Sequence, residues 1–140
     1  MNDTTLRDFL QKMGTVAIVG ASANPERPSH FVGEFLRARG LRVIGVNPGL
    51  AGQMLYGAPV VARLADIGAD IPVDTVDIFR RSEEVPAIVE EAIAHLPHLQ
   101  GIWMQIGVQH EEAAKTAMAR GLQVVQNRCP KVEFPRLLGA

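Results

Sequence analysis

Gly20-Ala21-Ser22, with Arg27 and Ser29 a short way on, is the group best suited to hold an anion. Gly20 breaks an apolar run, Ala21 and Ser22 keep the turn small, and Pro28 or Ser29 opens an amphipathic segment. Backbone N–H groups at a helix N-terminus would then face a phosphate. Arg27 and Ser29 stand beside that helix start and would add charge and a hydroxyl. Arg80 and Arg81 are the next cations, after Phe79, with Arg80 the stronger ligand candidate; the plain reading of both is a solvated exit from a strand. Cys129 follows Arg128 and has two readings. It is a small buried apolar residue, or a thiol activated by the neighbouring cation.

Other chemistry is hard to assemble. His30, His95, His98 and His110 form no metal set with a carboxylate or with Cys129, and His95 and His98 read as exposed surface around Pro97. No Ser-His-Asp set or carboxylate pair is evident. Gly20-Ala21-Ser22 begins a nucleophile elbow, but Asn24 stands where its last glycine belongs. No catalytic residue is therefore expected. Asp77, among apolar neighbours, reads as a hydrogen-bonded structural residue, Trp103 as core, and Gln105 as a ligand contact.

The elements that must position these residues follow from periodicity. Thr4–Met13 reads as a short helix with a capping residue, Thr15–Val19 as a buried strand, and about Ser29–Arg39 as a helix with Gly40 at its end. Leu41–Val46 is a strand stopped by Asn47-Pro48-Gly49. Gln53–Tyr56 reads as a short strand, Ala62–Ile67 as a helical turn with Leu64 buried, and Val73–Phe79 as a strand. Ser82 caps a helix with Val85, Ile88, Val89, Ala92 and Ile93 on its buried face. Gly101–Ile106 is a strand, and His110–Arg120 a helix with Glu111 and Lys115 paired on its outer side. Leu122–Gln126 is the last strand, followed by an exit loop and an irregular tail. Strands alternate with helices and are continuously apolar, which predicts an α/β domain: a doubly wound, mostly parallel sheet with helices on both faces. In that architecture ligands bind at the carboxyl ends of strands, which brings forward Gly20 to Ser22, Asn47-Pro48, Phe79 to Arg81, Gln105 to Val108 and Asn127 to Cys129.

Composition sets the outer bounds. At 140 residues, 47% apolar and 21% charged, the chain reads as one globular domain. A formal net charge of −1 gives no support to nucleic-acid or anionic-membrane binding. No apolar run approaches a membrane span. A single cysteine and no signal-like N-terminus point to a cytoplasmic location.

Two ligands compete for the strand ends. The dinucleotide fingerprint G-x-G-x-x-G keeps only Gly20; Ser22 and Pro25 replace its other glycines. The strand ending Gly45-Val46-Asn47-Pro48 lacks the acid that holds the NAD ribose, and Arg42 lies at the wrong end to serve NADP. NAD(P) is therefore a poor fit; the alternative class, an NAD(P)-using oxidoreductase or an acyl-CoA-handling enzyme, would have Cys129 or Arg80 at its centre.

The chain resembles the stand-alone CoA-binding proteins whose domain is similar to the N-terminal CoA-binding domain of the succinyl-CoA synthetase α subunit. The resemblance is carried by Ala17-Ile-Val-Gly-Ala-Ser22, Arg27-Pro-Ser29, Val43-Ile-Gly-Val-Asn-Pro48, Val76-Asp-Ile-Phe-Arg80, Trp103-Met-Gln-Ile-Gly107 and Arg128-Cys-Pro130, in order over about residues 14 to 137. It implies a Rossmann-like fold and coenzyme A, or an acyl-CoA, as ligand. On that reading Gly20, Ala21 and Ser22 offer N–H and hydroxyl donors, Arg27 and Ser29 meet the phosphates, Asn47 and Pro48 flank the adenine, and Phe79, Arg80, Gln105 and Gly107 complete the site. Gly49 departs from the lysine often found after Asn-Pro, which weakens the expected 3′-phosphate contact. A succinyl-CoA synthetase reaction needs a phosphohistidine on a second domain, for which there is no room. The implied role is a binding module, with an enzyme partner or a homo-oligomer as its setting.

Overall fold

The computed structural model describes residues 1–139. Its elements run α1 (Asp3–Lys12), β1 (Thr15–Val19), α2 (Pro28–Ala38), β2 (Arg42–Val46), β3 (Met54–Leu55), β4 (Ala58–Pro59), β5 (Thr75–Ile78), α3 (Val85–His95), β6 (Gly101–Met104), α4 (Glu111–Ala119), β7 (Gln123–Val125) and α5 (Pro130–Leu138). The apolar strands form one sheet in the order β2-β1-β5-β6-β7, every pair parallel. From β1 the chain winds outward to β2 in one direction and through β5, β6 and β7 in the other. The doubly wound reading holds, and the direction reverses between β1 and β5.

Each face of the sheet packs its own helical layer. Ala17, Val76 and Ile102 share a register row and pack with Val89, Ala92, Ala113 and Ala117 of α3 and α4. The next row, Ile18, Asp77, Trp103 and Val125, turns to the opposite layer with Leu6 and Leu10 of α1, Val32 and Leu36 of α2, and Phe134 of α5. Burying each large apolar side chain contributes about 1.5–3 kcal/mol, so both layers are needed to hold the sheet. Trp103 is fully buried and its Nε1 donates to the Arg128 carbonyl at 2.8 Å, which ties the exit of β7 to β6.

Several local expectations are corrected. The segment after Cys129 is a helix, not an irregular tail. Pro130 occupies its first turn, where a missing N–H costs nothing. Pro135 sits inside it, while Pro130, Glu133 and Phe134 give it a buried stripe. Arg136 grips Asp3 with two bonds of 2.9 and 3.0 Å, fastening α5 to α1. The cap of α1 is Asn2, which accepts from the Thr5 N–H. Ser82 opens a 3₁₀ turn, Ser82–Glu84, ahead of α3; its hydroxyl accepts from the Gln109 N–H at 3.0 Å and so is not the cap. Lys115 pairs with Glu112 at 3.7 Å, while Glu111 accepts from Gln126. The expected strand over Gln53–Tyr56 is a small antiparallel hairpin, β3 with β4.

That hairpin turns on Tyr56 and Gly57, with φ of +54° and +77°. A left-handed tyrosine is disfavoured, and tertiary contacts hold it there. The ring is buried, and the hydroxyl donates to the Ser29 carbonyl at 2.6 Å. A Cβ on Gly33 would overlap the ring, and one on Gly45 would come within 3.3 Å of it. Glycine at both places lets Tyr56 lie between α2 and β2 and pin the start of α2.

Candidate functional site

At the carboxyl ends of the strands lies one cleft of about 1290 Å³. It runs from Asn47 after β2, past Gly20 after β1, Phe79 and Arg80 after β5 and Gln105 after β6, to Cys129 beyond β7. The N-termini of α2 and α5 form its far wall through Arg27, Ser29, Phe31, Lys131 and Val132. The cleft thus sits over the reversal between β1 and β5, where an open parallel sheet parts its loops.

Gly20 makes that crevice. Its φ is +92°, and an added Cβ would stand 3.2 Å from the Phe79 carbonyl oxygen and 3.1 Å from Arg80 Cδ. The N–H groups of Gly20 and Ala21 both donate to the Val46 carbonyl, at 3.0 and 3.3 Å. What these two residues offer the cleft is therefore an absence of bulk rather than donors. The Ser22 hydroxyl accepts from the Asn24 N–H at 3.1 Å and keeps its own proton to donate. Among the described residues, the N–H of Ser29 in the first turn of α2 has no partner.

Asn47 closes one end of the cleft by holding two loops. Its Nδ2 donates to the Ala21 carbonyl and its Oδ1 accepts from the Gly49 N–H, both at 2.8 Å. The cleft brings together Gly20, Ala21, Ser22, Arg27, Ser29, Asn47, Phe79, Arg80 and Gln105, all expected from sequence. Pro48 and Gly107 do not line it. Pro48 starts a 3₁₀ turn, and Gly107, at φ +87°, donates its N–H to Asn127 Oδ1 at 2.8 Å.

The charges are unevenly engaged. Arg80 binds Glu84 at 2.8 Å, and Arg81 reaches Glu83 and Glu84 at 3.3 and 3.5 Å. The Arg80 hydrogen bond, with help from Arg81, holds the Glu84 carboxyl below its usual range. Arg27 and Lys131 have no ion pair among the described residues, so they are the cations facing the cleft unopposed. The Lys131 ammonium stands 5.2 Å from the Phe31 ring centre, so α2 and α5 meet across the mouth.

The cleft has an apolar rim of Phe31, Ile106 and Val132, 39%, 64% and 56% exposed; sequence reasoning brought Ile106 forward within Gln105 to Val108 and missed the other two. Lys131 and Val132 were missed because α5 was not foreseen. Phe31 reads from sequence as part of the apolar stripe of α2, but the structure leaves it exposed beside the buried Val32.

A parallel sheet that parts over a helix N-terminus in this way defines a Rossmann-like ligand-binding domain. The chain belongs to the CoA-binding domain family, whose model matches residues 14–135. An uncharacterized Bacillus subtilis (strain 168) protein, YneT, is 34% identical over 91% of this chain and 90% of its own length. A solved Thermus thermophilus structure is 38% identical with a TM-score of 0.90, covering 99% of this chain and all of that one. A Pyrococcus horikoshii OT3 structure is 32% identical with a TM-score of 0.89, covering 99% of this chain and 94% of its own.

Proposed function

We propose that the protein binds CoA or an acyl-CoA in this cleft, as a binding module rather than as a catalyst. The observation that carries the reading is the continuous cleft from Asn47 to Cys129 across the ends of all five parallel strands. Its volume exceeds the roughly 300–1,000 Å³ of sites for compact small ligands, which suits a nucleotide with a long arm. The adenine end lies near Asn47 and Leu50. The pyrophosphate takes the Ser29 N–H, the Ser22 hydroxyl and the Arg27 charge, donors of the kind an anion recruits at a helix start. The arm then passes Phe79 and Gln105.

The module reading is supported by the state of the titratable lining. Glu84 is already bound by Arg80 and Arg81, and no histidine is among the residues that line the cleft. An acid–base step would need a free carboxylate or imidazole within reach of the ligand. NAD(P) is less well served, because Asn47 spends both ends of its carboxamide on the backbone of Ala21 and Gly49.

Thermal unfolding with CoA, acetyl-CoA, NADH and NADPH tests the proposal. CoA is expected to raise the melting temperature in a concentration-dependent way, equivalent to about 2.7 kcal/mol at a hundredfold excess over Kd. A rise with NADH or NADPH and none with CoA would overturn it.

A further inference from the structure

Reversible binding leaves one residue of the cleft without a task. Cys129 is buried, with 8% of its surface exposed, and lines the cleft. It occupies the N-cap of α5 and makes no side-chain capping bond. The Cys129 carbonyl accepts from the N–H groups of Val132 and Glu133, and Pro130 has no N–H to give. That leaves the Lys131 N–H without a partner among the described residues. Cys129 therefore stands at the N-terminal end of α5, next in the chain to an unmatched first-turn donor.

An independent feature at the same place points to a ligand. Gln105 lines the cleft at the exit of β6 and is 5% exposed, yet its Oε1 has no hydrogen-bond partner among the described residues. A buried carbonyl oxygen is rarely left unpaired, because nothing replaces the water it has lost. The amide N–H groups along a pantetheine arm are the donors it lacks. The Arg128 N–H donates to the Met104 carbonyl at 3.3 Å, so the chain enters Cys129 from the end of β6, where Gln105 follows Met104. Two strand spacings separate β1 from β6, about 10 Å, a span that a pantetheine arm covers. An arm whose phosphate end lies at α2 and whose amide meets Gln105 brings its sulfur to Cys129.

We propose that Cys129 is a site of thiol–disulfide exchange with a disulfide of CoA, so that the protein holds CoA covalently as a mixed disulfide; this rests on the CoA reading above. The Cys129 thiolate attacks one sulfur of the CoA disulfide. A new S–S bond forms to Cys129, the old one breaks, and CoA thiolate leaves and takes up the proton that Cys129 gave up. No further oxidant is consumed. A second CoA thiol reverses the step.

Burial makes the proposal selective: a disulfide reaches Cys129 through the cleft, so one that fits the cleft reacts faster than one that does not. Intact-mass measurement on the reduced protein, with CoA disulfide or glutathione disulfide at equal concentration, reads this directly. The expected result is a single CoA adduct, removed by dithiothreitol, absent in Cys129→Ser, and formed about ten-fold faster than the glutathione adduct because the cleft positions it. Desulfo-CoA is expected to suppress that preference, and Gln105→Leu to reduce it without slowing glutathione. Equal rates for the two disulfides, or an adduct that survives in Cys129→Ser, would overturn the exchange. Heat stabilisation by CoA is followed in parallel. If it persists without an adduct, only the exchange fails; if it is missing from both wild type and Cys129→Ser, the CoA reading fails as well.

Discussion

Asp77 is a carboxyl buried at the centre of the sheet. It sits on β5 between Ile18 and Trp103, has no exposed surface, and neither carboxyl oxygen has a partner among the described residues. Sequence suggested a hydrogen-bonded structural role; the structure supplies no bond. Burial alone pushes its pKa well above the usual carboxyl range, so the folded protein favours the protonated acid. The unfolded chain releases that proton near pH 4. This group's contribution is therefore intact below about pH 4 and is lost as the pH rises from there towards the folded pKa. Asp77→Asn removes the titration while keeping the shape. The stability of Asp77→Asn relative to wild type is expected to rise between pH 4 and pH 8 in urea unfolding. A difference that stays flat across that range would show that the carboxyl is solvated or paired in solution. The residue type was legible in the sequence. Its isolation was not, because the side chains around it come from β1, β6 and helices distant in the chain.

At the scale of elements, the strands and α2 to α4 were readable because each carries a sustained apolar run or stripe. Their boundaries moved by a residue or two, as hydrogen-bonding ends commonly do. The element lost was α5, where Pro130, Pro135 and Gly139 look like punctuation. Pro130 fits a first turn, and the burial of Phe134 against Phe35 and the Arg136 grip on Asp3 sustain the helix through Pro135. The hairpin of β3 and β4 was half visible, since Tyr56 reads as a strand residue until its ring is seen against Gly33. That contact makes Gly33 the sensitive point of α2. Alanine there favours helix on propensity alone, but its Cβ overlaps Tyr56. Gly33→Ala is expected to lose about 1–3 kcal/mol in chemical denaturation, as overpacked cores do, and to weaken CoA binding because the Ser29 anchor shifts. A gain in stability would mean that the Tyr56 ring is free to move aside.

Taken whole, the molecule places its cleft where the winding reverses, and that much followed from the alternation of strands and helices. Nine of the eleven residues expected at the site do line the cleft; Pro48 and Gly107 do not. What could not be read was which donors are already spent. Val46 takes the N–H groups of Gly20 and Ala21, and Glu84 engages Arg80, and both facts depend on loops that meet only in three dimensions. The rim of Phe31, Ile106 and Val132 carries a consequence for the temperature dependence of binding. These apolar side chains are exposed, and a ligand arm laid across them would release the water they meet. Burial of this kind lowers the heat capacity. Titration calorimetry with CoA over a range of temperatures is expected to give a binding enthalpy that grows more negative on warming, and the Ile106→Ser variant a shallower slope. A slope unchanged by that substitution would mean that the arm passes without covering the rim, and that the three side chains stay wet in both states.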